Sequence, residues 1–321
     1  MTEDWENGGF GIYIHWPFCT AKCPYCDFNS HVRSNINQKQ WLKAYLNEIK
    51  RVSEKTSNRI LNSVFFGGGT PSLIEPSIIG DVLNEIQKHW KTKNNFEVTL
   101  EANPGSVDAK NFKAYKEAGV NRTSMGIQSL NTKDLKALGR THTVEEALAA
   151  FEIARQNFKA VSFDLIYARQ NQNISQWEKE LSLALSLEAS HMSLYQLTIE
   201  QGTAFGDRYN RGLLKGLPND DTSADMYDLT LSLCEDRGLV SYEVSNYAHQ
   251  GYESIHNLIY WRYGDYIGIG PGAHGRLTID GKKYATETVL SPEAWLKKVE
   301  CDGSGESNSV ELTLSLIHIS E

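Results

Sequence analysis

The 321 residues are 40% apolar and 22% charged, which is ordinary globular usage and excludes disordered or collagen-like chains. A formal charge of −8 provides no global basic field for holding nucleic acid, and no apolar run approaches the roughly 18 residues of a membrane-spanning helix. The acidic start, Met1-Thr2-Glu3-Asp4, lacks the basic stretch of a secretory leader, so a cytoplasmic location is expected.

In chain order, β-rich runs at 10–15, 63–66, 97–102, 123–128, 161–167 and 191–199 alternate with amphipathic stretches at 38–53, 77–90, 109–118, 144–157 and 175–187. Thr143 and Glu146 form a capping box ahead of 144–157, and Gly119 supplies a stop after 109–118. Strands alternating with helices predict a parallel sheet. No G-x-G-x-x-G follows the first run, which argues against a dinucleotide fold. An eightfold barrel needs ~250 residues. Six units therefore predict an α/β fold with an incomplete, open-sided (β/α)6 barrel over 10–240. Polar residues at the run ends, Tyr13, His15, Gly67 to Thr70, Glu101, Gln128, Asp164, Tyr195 and Gln196, then converge on one polar pocket.

The rhythm changes after a predicted helix at 223–237. A partial C-terminal region is expected over 241–311, with a Gly- and aromatic-rich stretch at 256–274 and a loop at 302–309. Residues 312–321 read as a non-native tail ending a truncated frame.

The five cysteines are Cys19, Cys23, Cys26, Cys234 and Cys301. An odd count with three packed into one short loop suggests a metal or redox centre, not a disulfide framework. Cys234 and Cys301 read as small buried or incidental residues. Thiolates are soft ligands for iron–sulfur clusters or zinc. Three thiolates leave a four-iron cluster with one open iron, whereas zinc would recruit His15 or His31 as a fourth ligand. Phe18, Tyr25 and Phe28 are expected to shield the group.

Cys19-x3-Cys23-x2-Cys26, followed by Gly67-Gly68-Gly69-Thr70-Pro71, resembles the radical S-adenosylmethionine superfamily. The resemblance implies a [4Fe–4S] cluster on the three cysteines, S-adenosylmethionine chelated at the open iron, and an electron donor. In that setting Glu101 suits ribose hydroxyls and Arg140 a carboxylate. The strings around Tyr13, Gly67, Glu101, Gly126 and Asp164 are similar to those of the oxygen-independent coproporphyrinogen III oxidase family. By that resemblance Tyr13, Tyr25, Gly68, Gly69, Thr70, Glu101, Gln128, Arg140 and Asp164 contact S-adenosylmethionine. Some members hold two such molecules, with Gln128 and Asp164 in the deeper part.

The oxidases carry a fourth cysteine two residues after the third, where this chain has Phe28. In this respect it is similar to the HemW-type haem chaperones, which bind haem and pass it to acceptor proteins. Their H-N-x-x-Y-W motif is matched by His256, Asn257, Tyr260 and Trp261. Imidazole is a good haem ligand and aromatic rings stack on porphyrin. A hydrogen-bonded histidine beside two core aromatics would read the same way. Arg169-Gln170 stands where related proteins have a glycine- or proline-containing turn, and is expected to alter the loop over the pocket. The alternatives are the oxidase activity itself, which Phe28 opposes, and radical modification of RNA, which the charge of −8 opposes.

Overall fold

The computed structural model describes residues 4–106 and 109–312. Six strands, β1 (Phe10–Trp16), β2 (Ile60–Gly68), β3 (Lys91–Ala102), β4 (Arg122–Gln128), β5 (Ala160–Tyr167) and β6 (His191–Gln196), lie side by side in chain order. Every neighbouring pair among them is parallel. The crossovers carry α1 (Gln38–Thr56), α2 (Pro76–His89), α3 (Ala109–Ala118), α4 (Val144–Asn157) and α5 (Ile174–Leu185). The alternating pattern was legible because β1, β2 and β5 are buried nearly throughout, while each helix buries one stripe. Both halves of the Thr143–Glu146 capping box form.

Among the described residues no pairing joins β6 back to β1, so the barrel is open, as expected. Both flanks are extended instead. Beyond β6 lie β7 (Val240–Ser241) and β8 (Asn246–Ala248), with β8 against β6. A long helix, α6 (Asp220–Glu235), precedes them and the short α7 (Ile255–Trp261) follows. On the other flank β9 (Asp265–Ile269) pairs parallel with β1. It is followed by antiparallel β10 (His274–Ile279), β11 (Lys282–Thr288) and β12 (Glu306–Glu311), with α8 (Pro292–Asp302) between the last two. The region after 240 therefore continues the barrel sheet, which runs β12-β11-β10-β9-β1-β2-β3-β4-β5-β6-β8-β7.

The loop expected at 302–309 is corrected: β12 occupies Glu306–Glu311. Its side chains are mostly solvent-facing, so no apolar alternation announces it. The α8 helix packs on α1 through Trp295, whose ring stacks on Trp41 at 5.4 Å. Cys234 is buried and Cys301 exposed, as their incidental reading expects. The expected tail lies outside the described residues from 313 onward.

Candidate functional site

The cysteine loop leaves β1 and is closed at its base by Phe18–Cys19 pairing with His31–Val32. The glycine run after β2 clamps the base from the other side: Gly69 N–H donates to Trp16 O at 2.7 Å and Thr70 N–H to Phe18 O at 2.9 Å. A Cβ on Gly69 would meet Phe18 backbone at 2.7 Å, and Gly68 sits at φ +112°. These glycines thus fix the loop against the sheet, a packing duty that the motif alone did not reveal.

All three thiols face a cavity of about 600 Å³ at the carboxyl ends of the strands. Tyr25, Gly68, Gly69, Thr70, Glu101, Gln128, Arg140 and Asp164 line the same cavity. Tyr13 does not. It faces a second cavity of about 240 Å³ that shares Phe28, Gly68, Glu101 and Asp164 with the first. Polar donors point at the sulfurs: Thr70 Oγ1 to Cys19 Sγ at 3.3 Å and Arg140 Nη1 to Cys23 Sγ at 3.3 Å. Arg140 also donates from Nη2 to Gly126 O at 2.7 Å, and its buried Nε has no partner. Burial pushes the Cys19 and Cys26 thiols up.

The donor set fits a thiolate-ligated cluster better than zinc. His15 uses Nδ1 on the Tyr13 hydroxyl at 3.0 Å and Nε2 on Asn29 O at 2.9 Å. His31 Nε2 is engaged by Asn29 Oδ1 at 3.1 Å. Among the described residues no three His, Cys, Asp or Glu side chains converge tightly enough for a single ion. Cys23→Ser is expected to abolish the iron and acid-labile sulfide of anaerobically reconstituted protein. Full iron content in that variant would count against the three-cysteine site.

Two carboxylates lie deep in the cavity. Glu101 Oε2 accepts from Gly68 N–H at 3.1 Å; burial first, then Asp164, raise its pKa to about 8. Burial raises Asp164 to about 6, opposed by Ser124, which donates to it at 3.0 Å. Gln128 ends β4 at φ +72°, a left-handed conformation unusual for a residue with a side chain. Its amide lies 2.8 Å from where a Cβ on Gly126 would stand.

The aromatic shield is partly corrected. Phe18 turns into the core, where its ring meets Trp16 and Trp41 at 5.2 and 5.1 Å, because it alternates away from the cavity. Tyr25 and Phe28 do face the cavity, and Phe28 is 58% exposed.

The H-N-x-x-Y-W residues divide between two surroundings. His256 is buried on the floor of the barrel, with Nδ1 on Ser63 Oγ and Nε2 on the Tyr260 hydroxyl, both at 2.8 Å. Its ring stacks on Phe65 at 5.1 Å, and burial lowers its pKa to about 3. Asn257 donates to the Tyr242 hydroxyl at 3.3 Å. Trp261 is 58% exposed. In this structure His256 has the hydrogen-bonded role, and neither ring nitrogen is free for iron.

Sequence reasoning missed a buried hub. The Arg169 guanidinium contacts Ile166 O, Asp134 and Glu180, and Glu180 in turn accepts from Ser129 Oγ and Leu130 N–H, each at 2.7 Å. The Arg169-Gln170 departure therefore anchors the segment following Gln128. Phe205, whose N–H donates to Pro24 O at 2.8 Å, likewise covers Tyr25 from a helix, Ala204–Asn210, that gave no periodic signal.

Residues 13–184 match the radical SAM superfamily model. The chain is 43% identical over 273 residues to the haem chaperone HemW of Haemophilus influenzae, covering 83% of this chain and 70% of the relative. It is 39% identical over 306 residues to radical S-adenosyl methionine domain-containing protein 1, mitochondrial, of Danio rerio, covering 94% of this chain and 69% of the relative. The solved structure of the coproporphyrinogen III oxidase HemN from Escherichia coli, a radical SAM enzyme, superposes with a TM-score of 0.81 at 20% identity, covering 95% of this chain and 72% of that one, a likeness of fold. An open barrel with three cavity-facing cysteines, and relatives alike over most of both chains, lead to one assignment: the chain belongs to the radical SAM superfamily and, within it, to the HemW-type family.

Proposed function

We propose that this chain is a haem chaperone that binds haem and transfers it to acceptor proteins, on a core holding a [4Fe–4S] cluster and S-adenosylmethionine. The observation that carries the choice over an oxidase is Phe28. Its ring faces both cavities at the position where the oxidases, by the resemblance above, have a cysteine, and a phenyl ring can neither ligate nor transfer a proton.

Cys19, Cys23 and Cys26 would hold the cluster, leaving one iron open to the cavity. Thr70 and Arg140 donate toward two of the sulfurs, at Cys19 and Cys23. Gly68, Gly69, Glu101, Gln128 and Asp164 would surround S-adenosylmethionine, with Tyr25 and Phe28 limiting water. When bound, the cluster is the source of the single electron that reductive cleavage of S-adenosylmethionine needs, so an electron donor is required. No helix among the described residues is long and apolar enough to cross a membrane.

Anaerobically reconstituted protein is expected to bind about one haem per chain and to form no vinyl product from coproporphyrinogen III on the same sample. Trp261→Ala removes an exposed ring and is expected to weaken haem binding about tenfold without changing the fold. Unchanged haem affinity in that variant would remove Trp261 from the site. Vinyl product without haem binding would reverse the assignment in favour of the oxidase.

A further inference from the structure

Beneath the carboxylate pair, the smaller cavity of about 240 Å³ is closed from below by α7. Three polar atoms of its lining residues have no partner: Arg122 Nη2, His191 Nδ1 and Thr99 Oγ1. The residues that carry them are 3%, 2% and 1% exposed. A buried donor without an acceptor costs about 1–3 kcal/mol, so three around one cavity are a feature in need of a ligand.

The hydrogen-bond network fixes what these atoms offer. Asn257 Nδ2 donates to the Tyr242 hydroxyl oxygen at 3.3 Å, and Ser254 N–H does so at 3.4 Å. Tyr242 therefore directs its own proton to His191 Nε2, 2.7 Å away. The ring proton of His191 then sits on Nδ1, and burial with nearby Arg122 keeps the imidazole neutral. The unpartnered set is two N–H donors and one hydroxyl.

Such a wall calls for an acceptor-only ligand, and its charge is bounded by the groups around it. Arg122 is ion-paired with Glu97 at 3.5 Å, and Glu97 also accepts from the N–H groups of Ile255 and His256 at 3.1 Å each. Glu101 and Asp164 face the cavity from above, and Tyr13, Tyr260 and His256 complete it as neutral groups. With one guanidinium set against Glu97 and, above about pH 6, Asp164, the wall rejects a dianion such as phosphate, and a single carboxylate held by the three donors is the largest charge it would take. We infer that the floor of the barrel is a carboxylate-binding pocket, with Arg122, His191 and Thr99 as its donors. The carboxylate has two sources, a free small acid or the acidic arm of a larger ligand seated above. The second source rests on the haem-binding reading under the proposed function.

Thr99→Val is close to isosteric and removes an unpartnered hydroxyl, so the free protein is expected to be as stable as the parent or slightly more so. Propionate, haem and haem dimethyl ester are the probes, titrated into the full chain. Saturable propionate binding that shifts the His191 imidazole nitrogen resonances, weakened about fivefold in Thr99→Val, establishes the free-acid site. Haem bound more tightly than its dimethyl ester, with the difference lost in Thr99→Val and no response to propionate, establishes the arm. Propionate binding without haem binding would sink the chaperone reading and leave the pocket standing. No propionate binding, together with equal binding or no binding of haem and its ester, overturns the pocket and leaves a cavity for water only.

Discussion

Arg169→Met is expected to lower the unfolding free energy by about 3–5 kcal/mol, read as an earlier urea midpoint with an unchanged slope. The guanidinium is buried between Asp134 and Glu180, so its removal strands the Glu180 carboxylate in a poor solvent for charge and leaves the half-buried Asp134 unpaired. Adding Glu180→Gln is expected to recover part of the loss. A carboxamide carries no charge to strand, yet still accepts from Ser129 and Leu130. The damage should also reach the pocket, because Ser129 and Leu130 follow Gln128 directly and Asp134 lies in the first turn of the short helix, Thr132–Ala137, leading to Arg140. S-adenosylmethionine affinity is expected to fall about tenfold. A stability loss below about 1 kcal/mol, the range of an exposed ion pair, would show that Arg169 is a surface contact and no anchor.

Glu101→Gln is expected to stabilise the cofactor-free protein while weakening S-adenosylmethionine binding by about tenfold or more. The carboxyl titrates near 4.5 when unfolded and near 8 when folded. Between these values the folded chain retains a proton that the unfolded chain has released, so this group makes stability fall as pH rises from about 4.5, the full penalty being reached above about 8. The glutamine variant should therefore gain on the order of 2 kcal/mol at pH 8, a figure reduced because the carboxyl faces a cavity open to water. The gain should vanish at pH 4, where both states of the parent are protonated. Asp164, raised to about 6, leaves a smaller slope of the same sign between about 3.8 and 6 in the variant. A pH-independent difference in Tm would refute the assigned environment.

The six barrel strands were readable because their interiors are buried on both faces and turn signals punctuate them. The cavity-lining residues were readable because a parallel barrel places strand ends on one rim, where Glu101, Gln128 and Asp164 line one cavity with the cysteine loop. What escaped was of another kind. The pairing of β9 with β1 joins Phe10 to Asp265, and no local pattern encodes so distant a partner. The β12 strand is solvent-facing along nearly its whole length, with Val310 its one apolar residue, so it carries no period. Arg169 sits in a polar string that reads as solvated loop; its burial depends on Asp134 and Glu180, which the fold alone brings to it. His256 and Trp261 share one short helix, and sequence could not say which would face the barrel and which the solvent.

The β1–β9 pairing also sets an order of events during synthesis. The strand that launches the cysteine loop gains its second neighbour only after the chain has been made past Ile269. At about 5–20 residues per second, the growing chain spends tens of seconds with that edge of β1 unpaired. Closing so long a span is entropically late. The cysteine loop is thus mounted on a strand completed among the last, and until then nascent β1 presents one unpaired edge.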